Sequence, residues 1–176
     1  MRAKDLQMAA TIDPVNRIIL VSGGIDRNEH TIVLRVPIPE PGLWTVIKAE
    51  VNLTDEPWTA WQITLGEGVS VPTDGNHLLM SRQFKRCKYL PERGAILFTE
   101  GEVRPGDAIF KMARLQIEHD EMVLSHNRAT PTPKINVEDG FGETWPRIEV
   151  IAPVRIVQPG ETDLESFEVE TKDALA

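Results

Sequence analysis

A chain of 176 residues with a net charge of −8 can bury one hydrophobic core, and its overall charge argues against binding to nucleic acid or anionic lipid. Its single cysteine excludes an internal disulfide, and no segment approaches the roughly 20 apolar residues of a membrane-spanning helix. The N-terminus lacks the apolar run of a secretory signal peptide, so we expect synthesis in the cytoplasm; later release inside a virion is compatible with the sequence.

Strand signals follow a polar N-terminal arm, residues 1–15. A short apolar run at 17–21 is the first strand candidate, and three runs rich in Val, Ile, Thr and Trp then occupy residues 31–65. The sequence Pro-Glu-Pro-Gly at 39–42 interrupts these runs, because proline lacks an N–H donor and glycine tolerates positive φ. We therefore predict a hairpin at this turn and a three-stranded meander across residues 31–65.

The second half of the chain continues the same pattern. Residues 108–118 are ambiguous, since alternating apolar residues favour a strand, with Lys111 as the exception, whereas the composition also suits a helix. We predict a strand there because strand candidates lie on both sides. A type II turn is expected before it, at Pro105-Gly106. The other candidate strands are residues 95–99, 122–125 and 147–157.

Short strands, frequent turn signals and the lack of strand–helix alternation predict an all-β fold with little helix. An antiparallel β-sandwich is the favoured architecture, with a jelly-roll or barrel-like arrangement as the alternative. We divide the chain into an N-terminal arm at 1–15, a single β domain at 16–158 and an acidic tail at 159–176.

Common catalytic, cofactor and metal motifs are missing from the sequence. It has no G-x-S-x-G elbow, no Gly-rich phosphate loop, no C-x-x-C and no histidines at zinc-ligand spacing. His119-Asp120-Glu121 is interpreted as a surface turn. Cys87 has cationic neighbours that favour a thiolate, but no histidine nearby acts as its base, so an unreactive cysteine is favoured. We expect no catalytic residue, no cofactor and no metal.

One basic segment, residues 82–93, stands out in this acidic chain, and we call it the basic island. The simplest interpretation of the island is a solvated surface. As a binding site, its cations suit an acidic protein partner better than a nucleic acid, since the rest of the chain repels phosphate. The acidic tail carries six acids and one lysine over residues 161–176, a net charge of −5. We hypothesise that the tail of one copy docks on the island of the next, as complementary heterologous surfaces do. The candidate partner-binding residues are Arg82, Lys85, Arg86, Lys88 and Arg93 in the island and Leu164, Phe167 and Val169 in the tail.

The favoured function is a non-enzymatic structural or assembly protein that acts through protein–protein contacts. Small β-sandwich accessory components of bacteriophage virions, such as capsid decoration, head-fibre or baseplate proteins, have this general organisation. The first alternative is a carbohydrate-binding β-sandwich module, in which Trp58, beside a loop proline, is an exposed platform for a glycan; Trp44 and Trp61 are expected in the core. The second alternative is an enzyme whose site is assembled from distant residues.

Overall fold

β-Strands account for most of the chain that the computed structural model describes, which is residues 8–28, 30–75, 78–128 and 146–158. Thirteen strands and no helix lie in these ranges, so none of these residues belongs to a helix long and apolar enough to cross a bilayer. The strands are β1 (Met8–Asp13), β2 (Ile18–Ile25), β3 (Thr31–Pro37), β4 (Gly42–Asn52), β5 (Trp61–Leu65), β6 (Val69–Ser70), β7 (Met80–Ser81), β8 (Phe84–Leu90), β9 (Ala95–Gly101), β10 (Ala108–Ile117), β11 (Glu121–Asn127), β12 (Arg147–Ile151) and β13 (Val154–Ile156).

Two sheets pack face to face and confirm the predicted β-sandwich. Sheet I has the strand order β13-β1-β2-β4-β10-β6, with β7 also paired to β10, and sheet II has the order β12-β3-β11-β5-β9-β8. Most neighbouring strands are antiparallel, but β1 and β13, β2 and β4, and β3 and β12 pair in parallel. Both sheets are therefore mixed.

The predicted meander at residues 31–65 is wrong, although each of its three strands forms. β3 and β5 lie in sheet II and β4 lies in sheet I, so the turn at 39–42 carries the chain from one sheet to the other instead of closing a hairpin. The indole N–H of Trp44 donates to the carbonyl of Glu40 at 3.2 Å and ties this crossing to the core. Alternation reveals which face of a strand is buried, but it does not identify the neighbouring strand.

The N-terminal arm also differs from the prediction. Residues Met8–Asp13 form β1, which pairs with β2 over its whole length and with β13 on its other side. Met8, Ala10 and Ile12 are buried, and the small size of the intervening residues hid this alternation in the sequence. The Asp13 carboxylate then accepts the backbone N–H groups of Val15 and Asn16, each at 3.0 Å, and so fixes the turn into β2.

The prediction of a strand at residues 108–118 is confirmed by β10, which pairs with β4 along ten residues. The turn before it is also confirmed. Gly106 has a φ of 89°, as the third position of a type II turn requires, and the N–H of Asp107 donates to the carbonyl of Arg104 at 2.9 Å. The core between the sheets contains Trp44 and Trp61, as expected.

A substitution at Gly101 tests the pairing of β8 with β9, because a Cβ atom at this position would overlap the carbonyl oxygen of Gln83. We expect Gly101→Ala to lower the free energy of unfolding by about 1–3 kcal/mol, the usual cost of overpacking. Gly24→Ala is the matched control, since its Cβ would meet only the side chain of Leu53, which is 58% exposed and can rotate away. Denaturant unfolding of both variants measures the difference; equal losses would contradict the register of β8 on β9.

Candidate functional site

The basic island lies on the outer strand of sheet II. β8 carries Lys85, Arg86 and Lys88 and pairs with β9 alone within sheet II. Lys85 and Arg86 are exposed, whereas Lys88 is partly buried. Arg82 and Arg93 flank the strand and are also exposed, and the guanidinium of Arg82 stacks over the Phe110 ring, 4.6 Å from its centroid. The structure therefore brings the island together at one edge of the sandwich.

The acidic half of the docking hypothesis lies outside the described residues. Leu164, Phe167 and Val169 belong to the acidic tail, beyond the last described residue at 158. Docking of the tail on the island accordingly stays a prediction.

Trp58 is not an exposed ligand platform, and this expectation is wrong. Its side chain is 0% exposed, its ring centroid lies 4.5 Å from that of Trp61, and its indole N–H donates to the side-chain oxygen of Asn28 at 3.0 Å. Its backbone is held by two hydrogen bonds to Val103, each 2.9 Å long, which turn the ring inward from the loop that precedes β5. Since Trp44 and Trp61 are also buried, no tryptophan in the described ranges offers a flat face to a glycan.

Cys87 and His119 gain no reactive role from their surroundings. Partial burial raises the pKa of the Cys87 thiol, against a smaller opposite effect of a backbone hydrogen bond from Ser81, so the thiolate is disfavoured despite the nearby cations. His119 is exposed and packs beside Gly68. Within the ranges that the structure describes, no three His, Cys, Asp or Glu side chains converge as metal ligands would.

The structure reveals a polar site that sequence reasoning missed, in the centre of the sandwich. It consists of Lys48, Glu50, Lys111 and His126, and we call it the buried charge cluster. Lys48 and Glu50 lie on the inward face of β4, in series with Trp44 and Val46, and Lys111 lies directly opposite Lys48 on β10. His126 enters from β11 of sheet II. The four side chains are at most 2% exposed.

Short contacts connect the members of the cluster. The Lys48 ammonium lies 3.0 Å from Oε1 of Glu50 and the Lys111 ammonium 2.9 Å from Oε2 of the same carboxylate. Lys48 Nζ is also 2.7 Å from Nδ1 of His126, a contact that joins sheet I to sheet II. Lys111 Nζ lies 4.7 Å from the centroid of the Trp61 ring, within the range of a cation–π interaction.

The electrostatics of the cluster follow from its burial and its composition. Desolvation raises the pKa of Glu50, but the two lysines outweigh it and the carboxyl pKa lies below its usual value. Desolvation lowers the pKa of both lysines against the opposing effect of Glu50, to about 7 for Lys111. Desolvation and the two lysines hold the pKa of His126 well below 6.5, so its ring is neutral.

Not every buried polar atom in this region is paired. The two oxygens of Glu50 form ion pairs with the ammonium groups of Lys48 and Lys111 at 3.0 and 2.9 Å. Nε2 of His126 and the neighbouring Nε1 of Trp61 lack a hydrogen-bond partner within the described residues. Unpaired polar atoms in a dry interior are costly, and native proteins contain few of them.

A cavity of about 20 Å³ adjoins the cluster, with apolar walls apart from the two lysines. A space of this size suits one molecule as small as water and is far below the several hundred Å³ of an ordinary ligand site. The buried charge cluster therefore has no room for a metabolite beside it. The chemistry that it can support lies between its own groups, an amine beside a carboxylate away from solvent.

One signal in the sequence pointed to this site. Lys111 interrupts an otherwise alternating apolar strand, and Lys48 and Glu50 fall on the same alternate positions as Trp44 and Val46. Charged residues at the inward positions of an alternating strand can be recognised in the sequence. They were passed over because charged side chains are usually assigned to the solvent face.

Comparison with known proteins identifies a family. A family model described as a family of unknown function (DUF6423) matches residues 8–158. The chain belongs to this family. The DUF6423 match covers the sandwich from β1 to β13 and ends before the acidic tail. No curated protein and no solved structure matches the chain.

His126 should make the stability of this DUF6423 chain depend on pH. Below pH 6.5 the unfolded chain binds a proton at this histidine and the folded chain does not, so stability falls as pH falls. The slope approaches about 1.4 kcal/mol per pH unit for one such group. We expect His126→Phe to flatten the free energy of unfolding between pH 6.5 and pH 5, as measured by urea unfolding. His119→Asn, at an exposed histidine, should keep the wild-type slope; an unchanged slope in His126→Phe would show that His126 titrates normally.

Proposed function

We propose that this chain is a non-enzymatic structural protein that acts through protein–protein contacts at the edge of sheet II. The observation that carries the proposal is the position of the basic island, with Lys85 and Arg86 exposed on β8. The protein as a whole has a net charge of −8, so a local concentration of cations at one edge gives a partner both a place and an orientation.

The type of contact follows from the nature of the strand. An outer strand has backbone groups that another chain can pair with, and lysine or arginine on such a strand opposes uncontrolled strand addition. Exposed cations on β8 therefore favour recognition by charge over addition of a further strand. An acidic segment fits this surface better than the edge of another sheet.

The partner that we propose is the acidic tail of a second copy. Residues 161–176 carry a net charge of −5 and include Leu164, Phe167 and Val169 as apolar anchors. Because the two complementary surfaces differ, each copy of a docked pair still has one surface available, either its tail or its island, and repeated contacts build rings or open arrays. The family match ends at residue 158 and does not cover the tail.

The narrower form of this proposal is an accessory component of a bacteriophage virion, of the capsid decoration, head-fibre or baseplate type. Its support is analogy of fold class, because small all-β proteins serve these roles. Finding the chain by mass spectrometry in purified phage particles from cells that produce it would support this form; its consistent loss during particle purification would contradict it.

If copies of the chain assemble through charge, oligomer formation should depend on ionic strength and should require both the acidic tail and the basic island. The purified chain should sediment as oligomers at low ionic strength and shift towards monomer near 0.5 M salt, where the screening length falls to roughly 4 Å. Deleting residues 161–176, or reversing charge with Arg86→Glu, should leave monomers at low salt. Analytical ultracentrifugation measures all of these.

Arg104→Glu is the matched control for the charge reversal. Arg104 lies in the turn before β10, with its side chain 77% exposed and beside Glu102, so this variant changes net charge equally without touching the island. It should assemble as the unaltered chain does. An identical sedimentation profile for the full chain and the deletion variant at low salt would contradict the proposal.

A further inference from the structure

The contact between Lys111 and Glu50 has the features of a reactive pair. Nζ of Lys111 lies 2.9 Å from Oε2 of Glu50, and the two side chains are 2% and 0% exposed. This buried ion pair holds the amine beside the carboxyl carbon, which is one bond away from Oε2. Groups held in such proximity can gain effective molarities of about 10⁵–10⁸ M over free reactants.

We propose that Lys111 and Glu50 condense into an intramolecular amide bond that cross-links β10 to β4. The two strands are neighbours in sheet I and are paired along ten residues, so the cross-link would join the longest ladder of the sandwich. This inference is independent of the proposed assembly role.

The reaction balances within the cluster and requires no external reagent. The neutral amine of Lys111 attacks Cδ of Glu50, forming the N–C bond. The ammonium of Lys48, 3.0 Å from Oε1, gives one proton to this departing oxygen, and the attacking nitrogen gives a second. The Cδ–Oε1 bond breaks and one water leaves. A carboxylate, an amine and an ammonium thus become an amide, water and the neutral amine of Lys48, with no change in redox state.

The charges favour Lys111 over Lys48 as the nucleophile. Burial lowers the pKa of Lys111 to about 7 despite the neighbouring Glu50, so much of this amine is neutral near pH 7. Lys48 is engaged at 2.7 Å with Nδ1 of His126, and it faces the other carboxylate oxygen, where a proton donor is needed. The positions therefore divide the roles, with Lys111 as the nucleophile and Lys48 as the proton donor.

The surroundings favour the product. Buried ionic groups are costly, and condensation converts an ion pair in the core into a neutral amide and a neutral amine. The Trp61 ring beside Lys111 and the apolar walls of the adjoining cavity limit the return of water, which would be needed for hydrolysis. His126, neutral in the folded chain, is placed to accept a hydrogen bond from the Lys48 amine.

The intact mass of the purified, denatured chain tests the proposal. We expect a mass lower by one water than the sequence requires, and a proteolytic fragment in which the peptide containing Lys111 is joined to the peptide containing Glu50. A mass equal to that of the sequence would overturn the proposal, and so would a missing water located at any other pair of residues. Because this measurement uses the unaltered chain, it does not depend on whether a variant folds.

Two matched variants provide the controls. Lys111→Met should restore the full sequence mass, whereas Lys85→Met, which removes an exposed lysine of β8 outside the cluster, should keep the mass deficit. An Asp-Gly sequence such as Asp74-Gly75 can also lose water by cyclisation, but that loss would persist in Lys111→Met. Persistence of the mass deficit in Lys111→Met would therefore contradict the assignment.

Discussion

In the folded chain, before the proposed condensation, a single carboxylate pairs with two lysine side chains in the buried interior of this sandwich, and the packing of the two sheets depends on that arrangement. Glu50 lies within 3.0 Å of both Lys48 and Lys111 at 0% exposure. Removing charged groups from water costs several kcal/mol for each ion, and only close pairing offsets this. Lys48 then reaches His126 of the opposite sheet. The cluster thus links the three ions of sheet I to sheet II inside the core.

The sequence was informative wherever a local pattern determines structure. Alternating β-branched runs predicted the strands, and Pro105-Gly106 predicted its turn, because backbone sterics and burial act over a few residues. Even the ambiguous segment around Lys111 was predicted correctly as a strand. All-β class and sandwich architecture follow from such local information summed over the chain.

The sequence did not reveal which strands pair with one another when they lie far apart along the chain. Strands β3, β4 and β5 were each expected, but their division between two sheets depends on contacts with β10, β11 and β12, far along the chain. The buried charge cluster was missed for a related reason, since its four residues come from three strands and acquire meaning only together. Trp58 was misjudged because its backbone pairing with Val103 is also non-local.

The interior and the edge of the sandwich suit different purposes. The cavity beside the cluster is too small for a metabolite, and the charged groups that surround it are sealed from solvent, which suits internal stabilisation. Lys85 and Arg86 of β8 are exposed and lie on an outer strand, and the proposed assembly role rests on them.

Chemical unfolding of two variants tests the central role of Glu50 most directly. Glu50→Met alone leaves two buried lysines without a counter-charge. We expect its free energy of unfolding to be about 3–5 kcal/mol lower than that of a chain that also carries Lys48→Met and Lys111→Met, because the triple variant lacks those charges. Neither chain can form the proposed amide bond, so the difference reports the charges alone. If the triple variant is as unstable as Glu50→Met, or less stable, then the charges do not compensate one another and this account of the core is wrong.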